Sequence, residues 1–589
     1  MLLQKLAEYA TRAGLPPPLH TERAARYIVA LGEDGRLLSP EPLDTADAGD
    51  RKAARGMKRL LPNVQRSVAI KPLLLSDKAD YVLGLAAEGK DEARAGRAHS
   101  AFMAQLARCV EATREPSVRA VEAFLKDDPL DKLSLPEDFD RGATVIFRVG
   151  DDYPTDLESV QEFWAAENDD PDAPVMQCLV CGQRRPVLDR LQAKIKGVPG
   201  GHSSGTSIIS ANAPAFESYG LEASLIAPTC ASCGERFTQA LNSLLGNDRH
   251  RIGMAGAAFV FWTRVDQPGV DVVAMFKEPQ IEQVREFMKT LRGGGRLPAV
   301  EASEFFAVVL SGSGGRAVVR DWIDTTVGDV KENLGRWFEG QKLAVEGEEW
   351  KPLGLYALAG ATVRELRDVP TTTYRALIRS ALTRAPLPSG ILYQAVRRSR
   401  AEQKVTRNRA SLIKLYFSLQ RRDGRENWMT DLNLDVPNAA FQCGRLLAVL
   451  EQAQLAAIPG INSTIVDRFF GTASSAPNRV FPRLLTGAQP HLAKLQRIRR
   501  PAAIALQRRI EEIIAHLPVE QDARTKLYRG FPRVLTLEDQ GLFSLGYYQQ
   551  RAADRARMDA ARKRKQEGAP SDPDAALGEI IEESETEEN

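Results

Sequence analysis

Two cysteine pairs constrain this chain more than any other stretch: Cys178-Leu179-Val180-Cys181 and Cys230-Ala231-Ser232-Cys233, separated by a long polar loop. Each CxxC makes a tight knuckle that offers two sulfurs from one side, so the two pairs together close a tetrahedral zinc site and tie the ends of the loop. A glycine follows each knuckle (Gly182, Gly234), which suits the turn after a metal-binding pair. Four sulfurs leave no open coordination position, so the expected zinc is structural rather than catalytic. The competing reading is a pair of redox motifs or reduced core cysteines, but a redox CxxC usually stands alone at a helix start. Between the knuckles, Gly200 to Gly220 is rich in glycine, hydroxyls and amide, with Phe216 and Tyr219 near its end. Such a segment has too little apolar surface to fold alone and is expected to be a presented binding loop.

At 589 residues the chain exceeds one ordinary core, and two or more domains are expected. No apolar run reaches the length of a membrane span, and the start, Met1-Leu2-Leu3-Gln4-Lys5, lacks the layout of a signal peptide, which predicts a cytoplasmic protein without a membrane partner. Cys109 and Cys443 lie in helical-looking surroundings far from the knuckles, which argues against a secreted disulfide framework. The formal net charge of +2 hides a segregation: Ser571 to Asn589 carries eight acidic residues and no Lys or Arg, leaving the rest at +10. A solvated acidic tail and a basic binding body are expected.

Pattern along the chain predicts an α+β N-terminal half with a zinc-knuckle loop insertion, followed by an all-α helical bundle. The first domain is placed at 1–325, with the CxxC/CxxC module at 175–236. A helical domain follows at 326–565 and an acidic disordered tail at 566–589. Ala25 to Leu31, the turn Gly32-Glu33-Asp34-Gly35 and Arg36-Leu37-Leu38 read as a β-hairpin. Gly256 to Trp262 and Phe305 to Leu310 read as buried strands, the latter joined to Ala317 to Trp322 through Ser311-Gly312-Ser313-Gly314-Gly315. Those glycines are no phosphate loop, because no Gly-Lys-Ser/Thr follows. Beyond 325 the period becomes helical, as in Ile413, Leu415, Tyr416, Leu419 and Phe441, Leu446, Leu447, Leu450.

Positive charge collects in the helical half. Between 397 and 425 stand Arg397, Arg398, Arg400, Lys404, Arg407, Arg409, Lys414, Arg421, Arg422 and Arg425 against only Glu402 and Asp423. A second cluster, Lys494, Arg497, Arg499, Arg500, Arg508 and Arg509, has no acid between Gly487 and Ile510. Exposed helix faces are often basic, yet patches this unbalanced predict contact with phosphate backbones, without reading of sequence. Lys71 interrupts an apolar run just before Pro72, where it either faces water or points at a ligand.

Several stretches together resemble the large subunit of the type I-C CRISPR Cascade, an RNA-guided DNA-surveillance complex. They are Leu15-Pro16-Pro17-Pro18, Lys71-Pro72-Leu73-Leu74-Leu75, Ser210 to Gly220 and Leu310-Ser311-Gly312-Ser313-Gly314-Gly315-Arg316, then Gly444 to Glu451, Asp467-Arg468-Phe469-Phe470-Gly471, Val480 to Leu485 and Leu545-Gly546-Tyr547-Tyr548. They span nearly the whole chain in order. Gln549 departs from the histidine expected in this family, and no role rests on it. The resemblance implies a non-catalytic protein that reads a short motif beside the target in double-stranded DNA, while the guide RNA reads the sequence. Lys71, Thr206, Ser210 and Asn212 are then the candidate readers, with Phe216 either a wedge or the loop's own anchor in the core. The basic helices, with aromatics such as Tyr393, Tyr416 and Phe417, would hold the displaced single strand. Implied partners are a crRNA ribonucleoprotein with backbone and repeat-processing Cascade subunits, small subunits related to the chain's own C-terminal part, and a helicase-nuclease recruited in trans. The alternative from another class is a metal-dependent nuclease using Asp151, Asp152 and a histidine, although the six histidines show no ligand spacing.

Overall fold

The structure is a computed structural model that describes residues 2–46, 55–64, 70–168, 172–191, 193–211, 213–264, 272–292, 302–343, 350–420, 430–517, 519–522 and 525–566. The predicted acidic tail beyond 566 lies outside the described residues. Contacts divide the chain into two units, Met1–Gly246 with Gly312–Val318, and Asn247–Ser311 with Val319–Asn589. Among the described residues no helix is long and apolar enough to cross a membrane.

Unit 1 is built on a strand with every residue buried, Tyr27–Leu31. A strand covered on both faces needs partners on both edges. It pairs in parallel with Thr144–Val149, from Tyr27 opposite Val145 to Leu31 opposite Val149. Ser76–Lys78 pairs with the other edge of Thr144–Val149 and Leu43–Asp44 with the other edge of Tyr27–Leu31, giving a four-stranded sheet. The hairpin expected at 25–38 shrinks to a tight turn, with Leu38 N donating to Ala30 O at 2.9 Å and an isolated bridge between Leu31 and Leu37. Parallel pairing needs a long crossover. This one contains helices Glu92–Thr113 and Pro116–Lys126, whose Phe102, Leu106, Val121 and Phe124 cover Val29, Val145 and Phe147.

Unit 2 holds an antiparallel sheet of β1 (Arg251–Met254), β2 (Ala257–Thr263), β3 (Glu304–Ser313) and β4 (Arg316–Thr326), in the order β4-β3-β2-β1. Alternation gives it two faces. Phe259, Phe261, Phe305, Ala307 and Val309 share one core with Leu334, Trp337 and Phe338 of the following helix. On the other face Phe306 stacks on Trp322 at 5.7 Å between ring centroids, with Trp262 at 5.4 Å from Phe306. The strands of 251–326, expected in the first domain, therefore join the helical one, apart from the β3–β4 tip at Gly312–Val318. The expectation of an all-α second domain is also corrected: Val519–Asp522 and Thr525–Arg529 form a short antiparallel hairpin.

The helices carry the rest. α1 (Ala439–Ala457) is buried on nearly all sides, its apolar residues and also Gln442, Arg445 and Glu451. Against it lies α2 (Leu537–Gln566) at a crossing that admits only glycine. A Cβ on Gly444 would stand 2.0 Å from Phe543 O, and one on Gly546 2.2 Å from Phe441 O. Several polar groups buried on these two helices pair with one another. Arg445 donates to Gln442 Oε1 at 2.8 Å and Gln550 Oε1 at 3.0 Å, and Glu451 accepts from Tyr547 Oη at 2.7 Å. Burial, then the Glu451 charge, pushes the Tyr547 phenol up. Thr464 and Asp467 close a capping box at the start of helix Ile465–Ala473.

Candidate metal centre and nucleic-acid interface

The four cysteines converge. Cys178 ends the strand Val175–Gln177, whose pairing with Arg184–Pro186 turns the chain back through Cys181. Gly182 at φ +75° permits that turn and donates to Cys178 O at 2.8 Å. Cys230 is the N-cap of helix Ala231–Leu245, and Cys233 lies in its first turn. Backbone bonds tie the two sides together, Leu179 N to Pro228 O at 2.9 Å and Leu188 N to Thr229 O at 3.0 Å. All four Sγ atoms lie within 4.8 Å of one another. A tetrahedral ion with Zn–S bonds of about 2.3 Å requires sulfurs spaced by roughly 3.8 Å, so the cluster fits zinc. With protons as the only counter-charge the sulfurs cannot all ionise. Hydrogen bonds from Cys230 and Cys233 pull the Cys178 thiol down, while the same contacts and burial push Cys233 up. A divalent cation would remove that conflict, and the partial positive charge at the start of helix Ala231–Leu245 favours the thiolate forms of Cys230 and Cys233.

The loop between the knuckles is sewn to the β3–β4 tip along the backbone. Gly312 N donates to Pro199 O at 2.7 Å, His202 N to Gly314 O at 3.1 Å, Ser207 N to Gly315 O at 2.8 Å and Ala317 N to Ser207 O at 2.9 Å. The seam is too close for side chains: a Cβ on Gly312 would lie 2.0 Å from Gly201 N. This explains the glycine run as backbone-to-backbone packing. It also corrects one predicted reader, since Thr206 is 1% exposed and its Oγ1 donates to Ile195 O at 3.1 Å. Ser210 is half-buried and Asn212 lies outside the described residues. Beyond the seam, bridges between Ala211 and Ala223 and between Ser218 and Leu221 close a finger whose described residues are Ala211 and 213–223. Phe216 is no core anchor: it is 46% exposed, with the Arg316 guanidinium 4.0 Å from its ring centroid.

Lys71 is exposed on a pinned backbone. Leu73 to Leu75 beside it are buried, and Asp77 Oδ2 accepts from Leu73 N at 2.8 Å.

The predicted patch at 397–425 is smaller than its sequence suggests. Lys414 is fully buried and donates to Glu339 O at 3.1 Å. Arg409, 5% exposed, pairs with Glu402 and donates to Lys404 O at 3.0 Å. Arg398 is half-buried against the same Glu402, and Arg407 donates to Lys351 O. Arg398, Arg409 and Lys414 are therefore parts of the fold, whereas Arg397, Arg400 and Lys404 are exposed. Arg421, Arg422 and Arg425 lie outside the described residues.

A stronger basic surface lies further along the chain. From Arg468 to Ile510 the chain has no Asp or Glu. Within it helix Pro477–Ile498 buries Val480, Phe481, Leu484, Ala488, Leu492 and Leu495 and exposes Arg479, Arg483, Lys494 and Arg497. At 100° per residue those four fall within about 60° of one another, a stripe about 27 Å long. Arg500 and Arg508 are exposed on the next helix, while Arg509 is held by Asp554 at 2.9 Å. The signal was present in the sequence as the acid-free run, which begins before the cluster at 494.

Asp151 and Asp152 are exposed in a tight turn, with Asp152 N donating to Val149 O at 3.1 Å. Among the described residues the cysteine cluster is the one group of three or more metal-ligating side chains brought together, and neither aspartate belongs to it.

Residues 3–554 match the family model described as CRISPR-associated protein (Cas_Csd1). No curated protein matches the chain.

Proposed function

Because the chain belongs to this CRISPR-associated Csd1 family and is thus a Cascade subunit, we propose that it is the large subunit of a type I-C complex, the one that reads DNA. In this reading it inspects the short motif beside the target, starts strand separation and holds the displaced strand. It works beside a guide-RNA ribonucleoprotein of backbone and repeat-processing subunits, with small subunits related to its own C-terminal part and a helicase-nuclease recruited in trans.

The observation that carries the proposal is the finger, whose exposed side chains stand on a base fixed by two knuckles and a glycine seam. A reader must hold a few side chains rigidly against groove edges, because misplacement costs both affinity and discrimination. Zinc at the cysteine cluster would supply that rigidity and no chemistry of its own. The proposed polar readers are Lys71, exposed in the same unit, Ser210, half-buried at the base of the finger, and, in sequence, Asn212. The Arg479–Arg497 stripe suits a phosphate backbone, to which it would bind without regard to sequence. None of these roles needs a catalytic group.

In the guide-loaded complex, Lys71→Ala combined with Ser210→Ala should weaken binding to a target beside its correct flanking motif by about tenfold, on the scale of one or two lost groove contacts. Binding to random duplex should barely change. Filter binding or interferometry reads both, and equal losses on the two DNAs would reject the assignment of these residues as readers.

A further inference from the structure

The end of the finger carries a tyrosine in an unusual state. Leu221 N donates to Ser218 O at 2.9 Å, and the two residues between them have φ of +56° (Tyr219) and +70° (Gly220). Two consecutive left-handed residues define the tight hairpin turn that normally takes Asn, Asp or Gly at its first central position. A bulky side chain is strained there. Burial does not offset the strain, because Tyr219 is fully exposed, at 101% of its reference area. Three residues earlier the half-exposed Phe216 ring lies under Arg316. The tip therefore offers aromatic faces, and its nearest charges in sequence are the acids Glu217 and Glu222, which would repel phosphate.

We propose that Tyr219 stacks on an unpaired nucleobase, released where the duplex beside the finger opens. This rests on the reading of the chain as the DNA-reading subunit and adds a residue and a ligand chemistry to it. Every base has a π-face, so the contact is indifferent to base identity, and flanking acids do not oppose it as they would a phosphate contact. The ring is fully exposed on a turn closed by the Ser218–Leu221 bridge, so little backbone ordering remains to be done on binding.

The test uses the full chain in its guide-loaded complex. Two target DNAs are compared, one fully paired and one with two mismatched pairs next to the flanking motif. Each carries 2-aminopurine at the first of those positions. Tyr219→Ala and Tyr219→Asn should slow opening of the paired target about tenfold, within the range for one lost base stack. They should slow the mismatched target less than about twofold and abolish the fluorescence quench of the stacked probe. Tyr219→Phe should behave as the unmodified chain. Asn suits the left-handed turn, so that variant should melt no earlier than the parent, separating lost stacking from lost folding. Unchanged opening in Tyr219→Ala would overturn the stack while leaving the DNA-reading role intact. Equal loss on both DNAs with defective assembly would overturn it too, in favour of a protein contact. Failure of the unmodified complex to bind either DNA would bring down the reading beneath it, and is seen before any variant is made.

Discussion

Replacing Cys178 and Cys233 with serine should remove one zinc per chain and lower the unfolding midpoint of unit 1 by more than about 10 °C, given roughly 2–4 °C per kcal/mol for a domain of this size. Structural zinc contributes on the order of 10 kcal/mol in small zinc peptides. Only part of that is expected here, because backbone bonds such as Leu179 N to Pro228 O also tie the knuckles. Cys178 and Cys233 are both buried, so an emptied site leaves polar groups without the partner that burial requires. Cys109→Ser is the control. Its thiol is also buried, pushed up to about 12 by that burial, yet it stands outside the cluster and its loss should leave the metal content unchanged. Mass spectrometry under native conditions gives the metal count, and calorimetry the midpoint.

Reversing Arg479, Arg483, Lys494 and Arg497 to glutamate should cut single-strand affinity by about a hundredfold or more at 0.1 M salt. Each phosphate contact to a single strand contributes about 0.7 to the slope of log K against log salt, so losing four should flatten it by about 2.8. Preference for the flanking motif should survive, since backbone contacts carry no sequence information. The buried cations behave differently. Lys414→Ala should destabilise unit 2 by emptying a fully buried position and removing one of the two donors to Glu339 O, the other being Lys342 N, with no change in salt slope. An unchanged slope in the fourfold reversal would return the stripe to an ordinary solvated helix face.

What the sequence made legible was local. The cysteine ligands are separated by two residues within each pair, and such spacing survives any global arrangement. The polar loop declared itself by composition, and the helices by period. Long-range pairing was hidden. Nothing in Tyr27–Leu31 distinguishes a hairpin with residues 36–38 from a parallel pairing with Thr144–Val149 far along the chain. Nor does alternation in 257–263 and 304–310 reveal that the covering layer is the helix after β4.

Charge counting failed for a related reason. It takes every lysine as exposed, yet Leu412, Ile413, Leu415 and Tyr416 occupy successive faces of their helix, leaving Lys414 nowhere to go but inside. Thr206 is buried rather than presented because a hydroxyl in a polar loop bonds a nearby backbone carbonyl as readily as a ligand. Several motifs that carried the family resemblance proved to be packing devices rather than sites. Gly444 and Gly546 permit a helix crossing, Asp467 caps a helix, and Gly312 lies against a backbone.

This chain is expected to supply the discrimination of DNA flanking the guided target. The most direct measurement loads the purified complex with one guide and offers a pool of duplexes that share the matching target but carry randomised neighbouring bases. Sequencing of the bound fraction should show strong enrichment of one short flank on one side. A bound pool with neighbouring bases as random as the input would contradict the account.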